Sequence, residues 1–367
     1  MNRFVLARNG GSRIPLTIVG GPDGAGKTTL LRHLLANNDS RRIAVLLDHP
    51  SSLGLESSSI SKTHANSVEL RNGSACLGLD GDIGTALLTL HTAHDGALPE
   101  QVVVEANSAA SLVRMSGYAF LPGFRPGGMV CVLSALDVAN MRDAGVEPDI
   151  TLASQLDQAE ILILNQVDAV KTTERTPVRW WVQQRTTRAR LIEAEQCCVP
   201  AAMILGTSGD RAPVHAVHGE WTPNFSIETE PHHHQVRQPR HADDYRAWLL
   251  TTRSTIDASA FRNWAGTLPD SIVRADGVLR ITGEPSHRFR FHRCGLRWSL
   301  SRDEPWRGSE SEPMSWVSLV GFAVSSASER SSQERVEGSA QLQLHESRHF
   351  RPPLRRAKGV RSIEELS

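Results

Sequence analysis

The chain has 367 residues, with 40 Lys and Arg against 40 Asp and Glu, so its formal net charge is zero. This balance argues against the general electrostatic attraction to nucleic acid or an anionic membrane that a basic chain would have. No run of eighteen apolar residues occurs, and the N-terminus lacks the apolar stretch of a secretory signal. Five cysteines without a framework spacing are typical of reduced thiols, so we expect a cytoplasmic protein.

Short apolar runs rich in β-branched residues alternate with helical patterns over the first two hundred residues. The predicted strands are 14–19, 43–47, 102–104, 129–133, 161–164 and 201–205. The predicted helices are 28–36, 83–92 (with Asp82 at its N-terminal end) and 179–197. Runs without polar alternation suit strands that are buried on both faces of a parallel sheet. The pattern therefore predicts a doubly wound α/β domain over residues 1–212.

The composition changes after this domain. Residues 213–242 carry His and Pro with little apolar periodicity and are predicted to be a linker. Residues 243–324 contain a predicted helix at 254–264, an apolar run at 271–281 and a pair of strands over FRFHRCGLRWSL, which indicates a small α+β domain. Residues 325–367 are rich in Ser, Arg and Glu and are predicted to be disordered.

A phosphate-binding loop follows the first predicted strand. The sequence GPDGAGKT fits G-x-x-x-x-G-K-[ST] and stands between a strand and a helix, as this motif requires. Backbone N–H groups of such a loop converge on phosphate oxygens, Lys27 would reach the β- and γ-phosphates, and Thr28 would offer its hydroxyl to Mg²⁺. The predicted phosphate-binding residues are Gly21, Gly24, Gly26, Lys27, Thr28 and Thr29.

The strand predicted at 102–104 is followed by an acidic residue. Glu105 is therefore a candidate to hold Mg²⁺ through water or to polarise the attacking water during hydrolysis. The alternative is that this carboxylate has only a structural role.

Asn165 and Asp168 follow the strand predicted at 161–164, in the sequence NQVD. An ionised Asp accepts hydrogen bonds from N1–H and the 2-amino group of guanine, which adenine cannot supply. Asp168 would select guanine, and Asn165 would brace the loop. Taken alone, the tetrapeptide could also be an ordinary turn after a strand.

These motifs, in this order, resemble the CobW-type family of P-loop GTPases, relatives of the GTPases that deliver nickel to urease and hydrogenase. GPDGAGKTTLLRHLL, VELRNG and RADGVLRITG carry the resemblance, which spans roughly residues 14 to 324. It implies a GTPase domain, a small α+β C-terminal domain that contacts a client protein, and a role in zinc or cobalt trafficking.

The chain departs from the family pattern at several positions. The family's C-x-C-C metal loop falls here on Ser74, Cys76 and Leu77, so a single thiolate remains. One thiolate cannot hold Zn²⁺ tightly, and a lone Cys is usually a small buried apolar residue. Gln166 replaces the lysine whose stem packs on guanine. Asp48-His49 and Asn107-Ser108 replace the family's residues near the γ-phosphate.

The predicted linker contains a histidine cluster, PHHHQVRQPRH. Neutral imidazoles suit Zn²⁺ or Co²⁺, so His232, His233 and His234 are candidate metal ligands. The alternative is a polar linker in which the histidines have no role.

Three functions follow from these features. The first is a slowly hydrolysing GTP switch with Mg²⁺, in zinc or cobalt homeostasis or in metal delivery to a client protein. The second is a nucleotide-binding regulatory or scaffold relative that has lost metal transfer and most hydrolysis. A small-molecule kinase is the third, and the Asn165–Asp168 pair speaks against it.

Overall fold

The computed structural model describes residues 13–37, 41–47, 60–64, 67–70, 75–78, 83–92, 98–106, 112–186, 188–206, 217–222, 245–306 and 313–322. They form one sheet of nine strands and one of six. The strands of the first sheet are β1 (Ile14–Gly20), β2 (Ile43–Leu47), β3 (Ile60–His64), β4 (Ser67–Leu70), β5 (Ala75–Gly78), β6 (Gln101–Glu105), β7 (Phe124–Ser134), β8 (Ile161–Asn165) and β9 (Arg190–Glu193). The accompanying helices are α1 (Lys27–Ala36), α2 (Ile83–Thr92), α3 (Leu112–Ser116), α4 (Ala135–Asp143), α5 (Ile150–Gln158), α6 (Thr172–Gln183) and α7 (Ala201–Leu205), with 3-10 turns at Gly117–Phe120 and Val167–Ala169.

The first sheet has the order β3-β4-β5-β2-β6-β1-β7-β8-β9. Pairing is parallel from β5 through β9, and β3 and β4 are antiparallel at one edge. Successive residues of the central strands enter separate apolar clusters on the two faces, for example Ile18 on one face and Val19 on the other. This two-sided burial explains why these strands lack polar alternation. The predicted parallel sheet flanked by helices is confirmed.

Two predicted elements are wrong. Residues 201–205, predicted as a strand, form the buried helix α7. A five-residue apolar run has no periodicity that separates a strand from a buried helix. Residues 179–197, predicted as one helix, contain the end of α6, the strand β9 and the loop after it. The polar stretch QQRTT hides this break, because it also fits a solvent-facing helix.

The second sheet has the order β10-β11-β15-β12-β13-β14. Its elements are β10 (Val217–Glu220), β11 (Tyr245–Thr252), α8 (Ala258–Thr267), β12 (Ile272–Arg280), β13 (His287–Cys294), β14 (Arg297–Pro305) and β15 (Ser315–Phe322). The Asp257 carboxylate caps α8, which packs Phe261 and Trp264 on Phe291 of β13. The predicted α+β character of this part, with β13 and β14 paired, is confirmed.

The segment predicted as a linker contains a strand. Val217–Glu220 pairs in parallel with β11, and the neighbouring Trp221 is buried in the aromatic cluster. Residues 223–242, Asp82, and the tail predicted to be disordered lie outside the described residues.

Helix α7 lies between the two sheets. It shares one apolar cluster with α1 on one side and with Val273, Val320 and Phe322 of the second sheet on the other. Arg274 of β12 also donates to the carbonyl oxygen of Ile204 in α7, at 2.6 Å. Within the described residues, no helix is long and apolar enough to cross a bilayer.

Candidate nucleotide site

The loop between β1 and α1 depends on its glycines. Gly21, Gly24 and Gly26 have φ angles of 131°, 79° and 113°, which disfavour any residue with a Cβ. A Cβ on Gly21 would lie 2.1 Å from the carbonyl oxygen of Val132, and one on Gly26 would lie 2.4 Å from Nδ2 of Asn165. The loop therefore packs closely against β7 and against the end of β8.

Lys27 lies inside this loop and is 7% exposed. Its Nζ donates to the carbonyl oxygens of Gly21 and Pro22, at 2.8 and 3.0 Å, and to Oδ1 of Asp23 at 3.3 Å. An ammonium group has three hydrogens, so this set matches its capacity. The Asp23 side chain is 85% exposed and can give up its contact to a phosphate oxygen at little cost.

Thr28 and Glu105 meet at the carboxyl ends of neighbouring strands. Because β1 and β6 pair in parallel with Val19 opposite Glu105, the carboxylate lies beside the start of α1. The Thr28 hydroxyl donates to Oε1 of Glu105 at 3.5 Å. A hydroxyl and a half-buried carboxylate at this spacing are hard oxygen donors of the kind Mg²⁺ prefers, so these residues fit that ion.

Asn165 is the last residue of β8 and is buried. Its Nδ2 donates to the carbonyl oxygen of Ala25 at 2.9 Å, and its Oδ1 accepts from the backbone N–H of Cys197 at 2.7 Å. Asn165 therefore joins the phosphate loop to the loop after β9. Asp168 follows in the Val167–Ala169 turn with its side chain exposed.

A cavity of about 310 Å³ brings the two predicted half-sites together. Its lining residues are Gly24, Gly26, Thr29, Asn165, Gln166, Asp168 and Gln196. Phosphate-loop glycines thus face the Asn165–Asp168 turn across one space.

Three residues at this site have a backbone conformation that the sequence does not reveal. In the described part of the chain, the non-glycine residues with positive φ are Gln166, Gln196 and Cys197. All three lie beside Asn165, on the two loops that border the cavity. Strained backbone of this kind concentrates at functional sites. Glutamine and cysteine have no recognised preference for this conformation, so no sequence signal marks them.

The loop after β9 also rests on α1. The thiol of Cys197 donates to the carbonyl oxygen of Gly26 at 3.3 Å, and burial raises its pKa to about 12, so the thiol stays uncharged. Burial, with Arg32 nearby, lowers the pKa of His33, although a hydrogen bond to the Gln196 backbone opposes this. Cys197, Gln196 and His33 belong to no motif by which their place at this site could be predicted.

The candidate ligands for a transition metal are only partly described. Cys76 lies in β5, opposite Val45 and Val68, but its side chain is outside the described set, as are Ser74, His232, His233 and His234. Leu77, at the third position of the family's metal loop, packs against the apolar core. Among the described residues, no group of three or more His, Cys, Asp or Glu side chains could hold a metal ion.

The chain matches two family models. A model described as the CobW/HypB/UreG nucleotide-binding domain matches residues 15–193, and one described as the cobalamin synthesis protein CobW C-terminal domain matches residues 245–335. The "zinc chaperone CobW" of Sinorhizobium sp is 25% identical over 341 residues, which cover 84% of this chain and 92% of that protein. The "zinc chaperone YeiR" of Escherichia coli is 25% identical over 285 residues, which cover 74% and 84%.

Among solved structures, Zn(II)-bound YjiA GTPase from E. coli is 20% identical and covers 89% of this chain and 99% of its own, with a TM-score of 0.39. The two family models together cover the first sheet from Pro15 onward and all of the second sheet except β10. The chain therefore belongs to the CobW-type family of P-loop GTPases.

Proposed function

We propose that this chain is a GTP-binding switch that hydrolyses GTP slowly with Mg²⁺ and works in cytoplasmic zinc or cobalt homeostasis. In this role the protein would deliver metal to a client protein, which it would contact through the second sheet. The observation that carries it is the single cavity that phosphate-loop glycines share with Asn165 and Asp168. Relatives described as zinc chaperones support the metal role.

Base selection rests on Asp168. Its carboxylate would accept hydrogen bonds from N1–H and the 2-amino group of guanine, and adenine has neither donor in that position. Asn165 would brace this turn against the phosphate loop through the bonds to Ala25 and Cys197. Binding guanine and binding phosphate would thus stabilise the same set of contacts.

The phosphate end would use Lys27, Thr28 and Glu105. The Lys27 ammonium would exchange its contact with Asp23 for phosphate oxygens. Thr28 and Glu105 would hold Mg²⁺, which supplies charge neutralisation on the phosphates when it is bound. Glu105 would orient the attacking water by accepting a hydrogen bond from it. With a single carboxylate in this role, we expect a low rate of hydrolysis.

Nucleotide titration tests base selection. Wild-type protein should bind a fluorescent GDP with Mg²⁺ and prefer it strongly over the adenine analogue. Asp168→Ala should abolish the preference, and Asp168→Asn should favour xanthine, whose 2-oxo group accepts from an amide. Asp157→Asn, an exposed acid on α5, is the control and should bind like the wild type. Equal affinity for guanine and adenine analogues in the wild type would refute base selection by Asp168, and no binding of either would refute the nucleotide site.

Phosphate release tests hydrolysis. Glu105→Gln keeps the size of the side chain but weakens its capacity to accept a proton from water, so the rate should fall at least about tenfold. Nucleotide affinity should change less than the rate. Equal rates for Glu105→Gln and wild type would remove Glu105 from the mechanism.

One observation favours the second candidate, a nucleotide-binding regulatory relative without metal transfer. Leu77 stands where the family has a thiolate, and it packs against the apolar core. Equilibrium dialysis with Zn²⁺ and Co²⁺ separates the candidates. A chaperone should bind one of them, and Cys76→Ala or deletion of His232, His233 and His234 should weaken it. Guanine nucleotide binding without metal binding would support the regulatory relative.

A further inference from the structure

Ser134 occupies a junction beside the cavity. It is the last residue of β7, is 4% exposed and caps α4. Its Oγ accepts a hydrogen bond from the backbone N–H of Asp137 at 3.2 Å. The same hydroxyl donates to Oε1 of Gln166 at 2.6 Å. Capping requires only an acceptor, so the contact with Gln166 uses a capacity that the helix does not need.

Gln166 carries this contact to the phosphate loop. Its Nε2 donates to the carbonyl oxygen of Gly24 at 3.3 Å, and the residue lines the cavity. Gln166 has φ 60° and ψ 34°, a left-handed conformation that a glutamine rarely adopts. Its side chain is also long and loses rotamer freedom when both polar atoms of its amide are held by hydrogen bonds. These costs require compensating interactions, and the two hydrogen bonds supply them.

The direction of both hydrogen bonds is fixed by chemistry. The carbonyl of Gly24 can only accept, so the amide nitrogen of Gln166 must face it. The amide oxygen then faces Ser134, whose hydroxyl must donate. A flipped amide would place two acceptors against each other at Gly24. Ser134 therefore donates to Gln166, and Gln166 donates to the carbonyl of Gly24. We call this directed chain of two hydrogen bonds the serine latch.

We propose that Ser134 is a positioning residue for the nucleotide, and that the serine latch holds the Asn165–Asp168 turn against the phosphate loop and slows nucleotide dissociation. The inference rests on the proposed guanine nucleotide binding. Gln166 lies between Asn165, which bonds to Ala25, and Asp168, which would contact the base. Fixing Gln166 to Gly24 therefore adds a second hydrogen bond between the same two loops, one residue later after β8 and one residue earlier in the phosphate loop.

The latch contains no charged group. Its strength should consequently depend little on salt, because screening acts on charges and not on a neutral amide and hydroxyl. Loss of the Ser134 donor leaves Oε1 of Gln166 without its partner and frees the side chain to leave the Gly24 carbonyl. We expect the dissociation rate to rise about tenfold, within the range for one hydrogen bond.

Stopped-flow dissociation of a fluorescent GDP from the full chain with Mg²⁺ measures this effect. Ser134→Ala should release nucleotide about tenfold faster, and Ser134→Thr, which keeps the hydroxyl, should behave like wild type. Gln166→Leu should match Ser134→Ala, and the double variant should be no faster than either alone, since all three break one chain. Ser134→Asp keeps an acceptor for the α4 cap but removes the donor, so it should also release nucleotide quickly.

Asp149→Ala is the matched control for capping. Asp149 caps α5, which has nine residues like α4, by accepting from the backbone N–H of Leu152 at 2.7 Å. This variant should lose stability without faster release. The latch is refuted if Ser134→Ala releases nucleotide at the wild-type rate, if Asp149→Ala is equally fast, or if the effects of Ser134→Ala and Gln166→Leu add in full.

The Asp168→Ala variant separates this failure from failure of the proposed function. If wild type prefers guanine, Asp168→Ala loses the preference, and Ser134→Ala dissociates normally, then GTP binding stands and only the latch is wrong. If wild type binds no guanine nucleotide, both are wrong.

Discussion

At the cavity, Asn165 and Gln166 hold the phosphate loop with uncharged amides, whereas at the contact between the two sheets Arg274, Asp276 and Glu160 are charged and buried. The first set lies at the carboxyl ends of the parallel strands. The second lies where β8 begins, against β12. The same protein therefore joins two loops with neutral hydrogen bonds and joins two sheets with charged groups, among them the ion pair between Arg297 of β14 and Glu160.

Several buried charged groups lie close together at the contact between the two sheets. Arg274 is 1% exposed, donates to the carbonyl oxygen of Ile204 at 2.6 Å and pairs with Asp276 at 3.3 Å. His292 bonds to the other oxygen of Asp276 at 2.9 Å. Burial alone would raise the pKa of Asp276, but Arg274, His292 and Arg125 outweigh it and hold that pKa below its usual range.

The two regions should therefore be sensitive to different perturbations. Buried charges are costly to leave without a partner, so changes at the sheet contact should act on folding and on its pH dependence. Neutral hydrogen bonds cost less to lose, so changes at the cavity should act mainly on nucleotide binding.

The largest effect should come from Arg274→Ala. It removes the cationic partner of Oδ2 of the buried Asp276 and a hydrogen bond to α7, so the free energy of unfolding should fall by about 3–5 kcal/mol. Urea denaturation measures this loss. Arg302→Ala is the control, because Arg302 pairs with Glu284 on the surface and should cost less than about 1 kcal/mol. A similar small loss at Arg274 would show that the charged contact does not hold the sheets together.

Gly26→Ala should disrupt the uncharged contacts between the phosphate loop and the end of β8. A Cβ there meets Nδ2 of Asn165 at 2.4 Å and Sγ of Cys197 at 2.8 Å, on a backbone with φ 113°. We expect about 2–3 kcal/mol less stability and at least about tenfold weaker guanine nucleotide binding. Gly145→Ala, which has φ 63° with open space around it, carries the strain without the clash. It should cost about 1 kcal/mol and leave nucleotide binding unchanged. Equal nucleotide affinities in the two variants would contradict the close packing at Gly26.

The sheet contact should also be acid-sensitive. Burial lowers the pKa of His292 to about 4, although Asp276 opposes the shift. The unfolded chain takes up a proton near pH 6.5 and the folded chain does not, so stability is complete above that pH and falls as the pH drops toward 4. Between pH 7 and pH 5 the loss from His292 should be about 2 kcal/mol.

Urea denaturation at both pH values measures this loss. His292→Asn keeps a donor toward Asp276 but cannot titrate, so its stability should depend less on pH than that of the wild type. Equal pH dependence in the two proteins would exclude His292 as the cause.

The two regions also differ in how far their residues could be predicted from the sequence. Lys27, Thr28, Asn165 and Asp168 were predicted because local motifs at the ends of buried strands carry them, and the structure brings these motifs to one cavity. Their roles in binding and hydrolysis stay predictions. Five central strands were predicted because strands buried on both faces need continuous apolar runs.

The sheet contact gave no such signal. Arg274 and Asp276 alternate with apolar residues in β12, which is equally typical of a strand with one face in solvent. Only tertiary packing shows that this face meets α7. Ser134 and Cys197 escaped prediction for the same reason, because their partners lie 32 and 171 residues away in the chain.

The smallest effect should come from Cys197, whose thiol donates to the Gly26 carbonyl. A thiol is a weak donor, so Cys197→Ala should weaken guanine nucleotide binding about twofold to threefold, and Cys197→Ser should restore most of that loss. Because burial raises the pKa of this thiol to about 12, no thiolate forms near the phosphates between pH 7 and 9.5. Nucleotide affinity should therefore follow the same pH profile in wild type and in Cys197→Ser. A loss of affinity near pH 9 that only the wild type shows would reveal a thiolate and overturn the view that this end of the site is held by neutral groups.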